Sequence, residues 1–196
     1  MVDLGRSPLP RLLLMVSLLG GIDSLDWKIQ RAVQTLTPSP FDRPMQTVSD
    51  VGRPQLVFGL LLAIAAFGGP AGAATARHAV IALIPANLVV EGLKRATLRT
   101  RPDGERSGSN SSFPSSHVAN AFALAWVFAR RWRRAAPAFF LFAALVGFSR
   151  MYLNRHFASD VLCGALIGLG SGWAAEQLLR RWPGQVESAG PEAATR

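Results

Sequence analysis

Charged residues fall in short clusters separated by apolar runs, and the lengths of those runs set the first expectation for the fold. Positions 54–76, between Arg53 and Arg77, carry no charge, and that interval is long enough to cross a bilayer core needing about 20 helical residues. Inside it, Gly68-Gly69-Pro70 predicts an early helix end, with the stretch to Ala76 serving as a turn. Four further runs, at 78–93, 118–129, 135–149 and 161–175, are shorter but apolar nearly all round. Such lengths also suit buried helices of a soluble bundle, but all-round apolarity favours helices that face lipid or lie deep inside a bundle.

Residues 12–22 follow Arg6 and Arg11 and so have the charged start and apolar middle of a secretory signal. No small-x-small cleavage site follows, so they read as a retained first helix. Residues 23–51 mix polar and apolar positions, and Leu25, Trp27, Ile29 and Val33 beside Lys28 and Arg31 suit a segment lying along the membrane surface. The Gly-, Pro-, Ala-, Ser- and Glu-rich residues 183–196 have little to bury and read as a disordered tail. The expected fold is all-α: a polytopic transmembrane helical bundle of about six helices, five if the first is short or cleaved, forming one domain over residues 1–182.

Composition sharpens this reading. Only 17% of the 196 residues are charged, against about 25% in soluble domains. The net charge of +9 raises nucleic-acid binding, but all basic residues except Lys28 and Lys94 are Arg, and they sit at the ends of apolar runs. That placement argues for a bilayer and against nucleic acid. Arg130, Arg131, Arg133 and Arg134 in one tight connection, with Arg180 and Arg181 after the last run, are expected on the cytoplasmic side. With six crossings both termini are then inside, and residues 94–117 and 150–160 meet on the outer side. Cys163 is the only cysteine, which excludes an intramolecular disulfide and a cysteine metal cage. There is no internal repeat and no glycine-rich phosphate loop.

The outer segments hold three clusters of reactive side chains. In the first, six residues separate Lys94 from Arg101-Pro102. If helix continues through them, the two cations lie two turns apart on one face and form an anion site. A basic juxtamembrane stretch touching headgroups is the other reading. Arg95 and Arg99 add charge, and Glu91 can pair with Lys94. The second cluster is Phe113-Pro114-Ser115-Ser116-His117, at the expected start of a helix. Here Ser115 and Ser116 can cradle an oxyanion or simply cap the helix, with His117 in its first turn. Residues 104–112 before it look like a mobile loop. In the third cluster, Ser149-Arg150 is followed by His156 and Asp160. A spacing of four places these two on one helical face, where the carboxylate can fix the imidazole tautomer and leave the other nitrogen as nucleophile or base. A carboxylate opening an apolar run near lipid points to function rather than packing alone.

In order and spacing, these clusters resemble the tripartite signature of the type 2 phosphatidic acid phosphatase (PAP2) superfamily: Lys-x6-Arg-Pro, Pro-Ser-Gly-His and Ser-Arg-x5-His-x3-Asp. Ser116 stands where that pattern has Gly. The resemblance implies a bacterial membrane-embedded phosphatase that acts without metal or cofactor. It makes His156 the nucleophile forming a phosphohistidine, Asp160 its orienting partner, and His117 the acid and then the base. Lys94, Arg101, Arg150, Ser115 and Ser116 would bind the phosphate. The implied partner is a phosphorylated membrane lipid within the bilayer, of the phosphatidate, phosphatidylglycerol phosphate, undecaprenyl diphosphate or lipid A type. The expected location is the inner membrane, with the site facing the periplasm. A noncatalytic headgroup-binding or flippase-like protein is the alternative, and a vanadium haloperoxidase relationship fits the same anion-binding clusters less well.

Overall fold

The computed structural model describes residues 8–35, 39–105 and 111–181. The tail expected to be disordered, 183–196, lies outside the described residues. Every regular element among them is helical: α1 (Pro8–Thr35), α2 (Asp42–Val51), α3 (Pro54–Phe67), α4 (Gly69–Thr97), α5 (Ser116–Arg131), α6 (Ala136–Tyr152) and α7 (Ala158–Arg181), with single 3-10 turns at Ser39–Phe41 and Arg133–Ala135. At the centre lies α5, packed by α4, α6 and α7; α3 lies against α4, α2 against α6, and α1 against both α6 and α7.

Close helix packing here depends on small residues. On α7, Gly164, Gly168 and Gly172 recur every four residues and so share one face. A Cβ on Gly164 would come within 2.6 Å of the Ser115 carbonyl oxygen, and one on Gly172 within 2.7 Å of the Trp126 Cβ. A Cβ on Gly168 would strike the Ala119 carbonyl oxygen. The glycines therefore let α7 lie directly on the α5 backbone, the close approach that small residues give membrane helices. A half-buried Asn87–Asn120 hydrogen bond of 2.8 Å joins α4 to α5, and Glu176 of α7 binds Trp126 and Arg130 of α5 at their far end.

The outer surfaces are apolar. Leu62, Leu88, Leu141, Leu162 and Leu166 are all well exposed, an arrangement that water would penalise and hydrocarbon favours. Three helices are long and apolar enough to cross a bilayer: Gly69–Thr97, Ala158–Arg181, and Arg133–Tyr152 taken with its leading turn. A fourth arises if α2 and α3, bent by 58° at their junction, count as one span. The structure thus supports three or four spans by this measure, where the run pattern predicts about six. The shortfall at α5 is physical: its 16 residues extend about 24 Å at 1.5 Å per residue. Because its neighbours bury it, α5 need not match the lipid thickness by itself.

Two further expectations change. Residues 70–76 are not a turn but the first two turns of α4; the break is confined to Gly68 and Gly69, whose φ is +63°, and Pro70 is accommodated in the opening turn of the new helix. Residues 23–35 are not a separate surface segment but continue α1. There Gln30 and Gln34 donate to the Met151 carbonyl at the end of α6, which also accepts the Asn154 N–H, so that α1 is tied to the end of α6.

Candidate active site

The ends of α4 and α6 and the starts of α5 and α7 meet at one end of the bundle, opposite the arginine-rich turn at 130–134. Lys94 lies in the last turn of α4, about one turn from Glu91, with their charges 4.0 Å apart. The helix then stops: Leu98 adopts a left-handed φ of 47°. Arg101 therefore lies on the following loop rather than two helical turns above Lys94. Both side chains are buried all the same, and they lie close enough to each other and to Arg150 for mutual repulsion.

Arg150 closes α6 and is 8% exposed. It donates to the Ser49 hydroxyl at 2.6 Å, while its Nε is buried with no hydrogen-bond partner. A left-handed Asn154, φ 57°, turns the chain so that the His156 backbone N–H donates back to the Arg150 carbonyl. That turn brings the arginine and the histidine together.

Ser115 is the N-cap residue of α5, but its hydroxyl makes no capping bond. The residue is fully buried and its Oγ has no partner. A buried hydroxyl without a partner at a helix N-terminus is chemically suited to an oxyanion. Ser116 and His117 follow in the first turn and are half-buried. His117 sits over the junction of α2 and α3, where any Cβ on Gly52 would lie 3.0 Å from its ring. It also feels the charges of Arg150, His156 and Lys94.

His156 and Asp160 do not form the expected pair. His156 precedes α7, so the two do not share a helical face, and its Nδ1 is 3.7 Å from the nearer Asp160 oxygen. Instead, Nδ1 lies 2.8 Å from the Ser112 carbonyl oxygen. A carbonyl only accepts, so Nδ1 carries the proton and Nε2 the lone pair. Asp160 acts one step away: it accepts the Ser112 hydroxyl at 2.5 Å and the Phe157 N–H at 2.8 Å, bracketing the histidine on both sides. The Phe157 contact is the reach of an N3 side chain back to the helix cap. Burial holds the His156 imidazole below its ordinary value of 6.5; Arg150 and Arg101 push the same way and Asp160 opposes them. The ring is thus neutral near pH 7.

Ser112 escaped the sequence reading because it lies in a Gly/Ser-rich stretch that looks like mobile loop. Residues 106–110 lie outside the described residues. Ser111 and Ser112 are buried, with the Ser112 N–H donating to the Arg99 carbonyl at 2.8 Å. Nothing in the local pattern marks Ser112, because its role depends on a partner 44 positions away.

Comparison with known proteins extends the picture. A family model described as the PAP2 superfamily matches residues 75–183. A lipid A 1-phosphatase of Porphyromonas gingivalis is 40% identical over 90 residues, covering 42% of this chain and 20% of that protein. A lipid A 4'-phosphatase of Bacteroides thetaiotaomicron is 32% identical over 90 residues, covering 44% and 39%. The chain thus spans well under half the length of either curated relative. Among solved structures, Aquifex aeolicus LpxE superposes with a TM-score of 0.69 at 25% identity, covering 78% of this chain and 95% of that one. A transmembrane PAP2-type phosphatidylglycerolphosphate phosphatase from Bacillus subtilis superposes with a TM-score of 0.69 at 24% identity, covering 89% and 96%.

Proposed function

The chain belongs to the PAP2 superfamily, and from that premise we propose that it is a membrane lipid phosphatase acting through a phosphohistidine on His156. One observation carries the reading. Three buried cations, Lys94, Arg101 and Arg150, converge with the partnerless Ser115 hydroxyl on the end of the bundle that holds a neutral, tautomer-fixed His156.

In this mechanism the cations and the Ser115 hydroxyl, with the N-terminal N–H groups of α5 around Ser116, bind the nonbridging oxygens, where transition-state charge accumulates. The Nε2 lone pair of His156 attacks phosphorus as the bond to the lipid oxygen breaks. Once the bound anionic phosphate offsets the charges of Arg150 and Lys94, His117 carries a proton; it gives that proton to the leaving oxygen and then takes one from the water that hydrolyses the phosphohistidine. Inorganic phosphate leaves and both histidines return to their starting state. Covalent catalysis splits one difficult displacement into two easier ones. The anion-facing groups are themselves cationic, so the phosphate charge is met without a metal. Asp160 supports His156 through Ser112 and Phe157.

The apolar flanks keep the lipid part of the substrate in the bilayer while its phosphate reaches the polar end. We assign that end to the periplasmic face of a bacterial inner membrane, with the arginine-rich turn at 130–134 in the cytoplasm. The two curated relatives favour a lipid A-type phosphate among the candidate substrates. The test is phosphate release, with EDTA present, by detergent-purified wild type and by His156→Ala from lipid A, phosphatidate, phosphatidylglycerol phosphate and undecaprenyl diphosphate. Wild-type release that is abolished in the variant supports the reading and ranks the lipids. Absence of release from every lipid by folded wild type would favour a headgroup-binding protein.

A further inference from the structure

Arg99 has the appearance of a fourth phosphate-binding cation, two residues before Arg101, but its hydrogen bonds are directed elsewhere. Its Nη1 donates to Asp160 Oδ1 and to the Ser159 hydroxyl, both at 2.7 Å. Its Nη2 donates to Asp26 Oδ2 at 2.7 Å and to Asp23 Oδ1 at 2.9 Å. The guanidinium also lies 4.6 Å above the Phe157 ring. Both ends of the fork are engaged by acidic side chains and one face is covered by an aromatic, leaving little of the group for a substrate phosphate.

Asp26 comes from α1, upstream of the residues matched by the family. It is 3% exposed and accepts the Ser159 N–H at 3.0 Å as well as the Ser159 hydroxyl. An α1 carboxylate thus occupies the positive N-terminus of α7 and satisfies one of its orphan donors. Next to it, Trp27 packs edge-on against Phe157 at 5.0 Å. Positions 157, 159 and 160, immediately after His156, are therefore each gripped by α1 or by Arg99.

We propose that Arg99 and Asp26 are positioning residues: a buried chain Asp26–Arg99–Asp160 fixes Asp160, and with it the turn that presents His156. This rests on the phosphatase reading of the site. The physical need is plain. Asp160 is fully buried, its nearest histidine nitrogen is too far for a hydrogen bond, and a buried carboxylate persists only with a cation and donors around it. Arg99 is that cation, and Asp26 holds its second nitrogen, so the guanidinium is clamped between two buried carboxylates.

The groups facing His156 are Asp160 of α7, Arg150 of α6, His117 of α5 and Arg101 of the connecting loop, so altering the chain changes their balance in a signed way. Asp26→Asn removes one negative charge, leaving Arg99 shared by Asp160 and the exposed Asp23, and so shifts the balance positive; Arg99→Gln leaves Asp160 uncompensated and shifts it negative. In variants shown to be folded by gel filtration and thermal melting, both are expected to lower kcat by about tenfold to a hundredfold with little change in KM. The acid limb of the pH–rate profile is expected to move to lower pH in Asp26→Asn and to higher pH in Arg99→Gln, and to return toward wild type in the double variant. Arg99→Lys, which keeps the charge but cannot bridge two carboxylates, is expected to lose kcat without moving the limb. Asp23→Asn, removing an exposed partner, is expected to change neither.

Unchanged kcat in folded Asp26→Asn, or limbs moving in the same direction, would overturn the positioning role while leaving the phosphatase reading intact. A raised KM at unchanged kcat in Arg99→Lys would place Arg99 on the substrate instead and overturn it too. Failure of wild type to turn over any lipid phosphate would overturn both.

Discussion

The Ser115 hydroxyl is buried and makes no hydrogen bond, a state that costs about 1–3 kcal/mol in a folded protein. The oxyanion-binding role proposed for Ser115 accounts for a group kept at that cost at a helix N-terminus. Ser115→Ala should therefore separate stability from activity: turnover falls by about 10²-fold, as when one oxyanion-hole donor is removed, while thermal stability in detergent stays level or rises. A fall in both would make the hydroxyl a structural group. At this scale the sequence carried the residue types and their order, since Lys94, Arg101, Ser115, His117, Arg150, His156 and Asp160 all stand within recognisable spacings. It misassigned connections set by backbone geometry. The left-handed Leu98 takes Arg101 off the helix, and the start of α7 at Ala158 takes His156 off the Asp160 face. The hydrogen bonds of Ser112 and Asp26 reach across 44 and 133 positions, a distance that local pattern does not encode.

Helix pairing places these side chains, and the α5–α7 contact does most of it. The glycine face of α7 brings its backbone against that of α5, so that the Ser115 N–H donates to the Asp160 carbonyl at 3.1 Å. A methyl at Gly168 meets backbone atoms of Ala119 and Ala123, which have no rotamer with which to yield; at Gly170 it meets nothing within 4 Å. Gly168→Ala should destabilise the protein by about 1–3 kcal/mol, the usual range for overpacking, and should also reduce activity by displacing Ser115 from Asp160. Gly170→Ala should do neither, and thermal melting of the pair in one detergent checks both. An equal effect of the two substitutions would show that helix propensity rather than contact sets the outcome. The apolar runs foretold the existence of α4 to α7, because burial and lipid both demand apolar residues. They did not foretell that Gly68-Gly69-Pro70 would be a hinge directly between two helices, since Pro fits the first turn of a helix as well as it ends one.

Across the whole molecule, polarity is divided between the ends. One end gathers buried cations, hydroxyls and histidines, the other the arginine cluster with Glu176 clasped by Arg130 and Arg180, and an apolar surface runs between them. This division is what a lipid phosphatase requires: a tail held in hydrocarbon and a headgroup delivered to a preorganised anion site. The proposed mechanism requires His156 as the nucleophile, and the most direct measurement is rapid acid-free quenching of the purified protein with a lipid carrying labelled phosphate. A base-stable, acid-labile phosphoenzyme mapped to His156 is expected, absent in His156→Ala, and accumulating in His117→Ala when the labelled substrate carries an activated leaving group that departs without a proton, because only the second step then lacks His117. Steady phosphate release with no such adduct, or an adduct on another residue that survives His156→Ala, would contradict it.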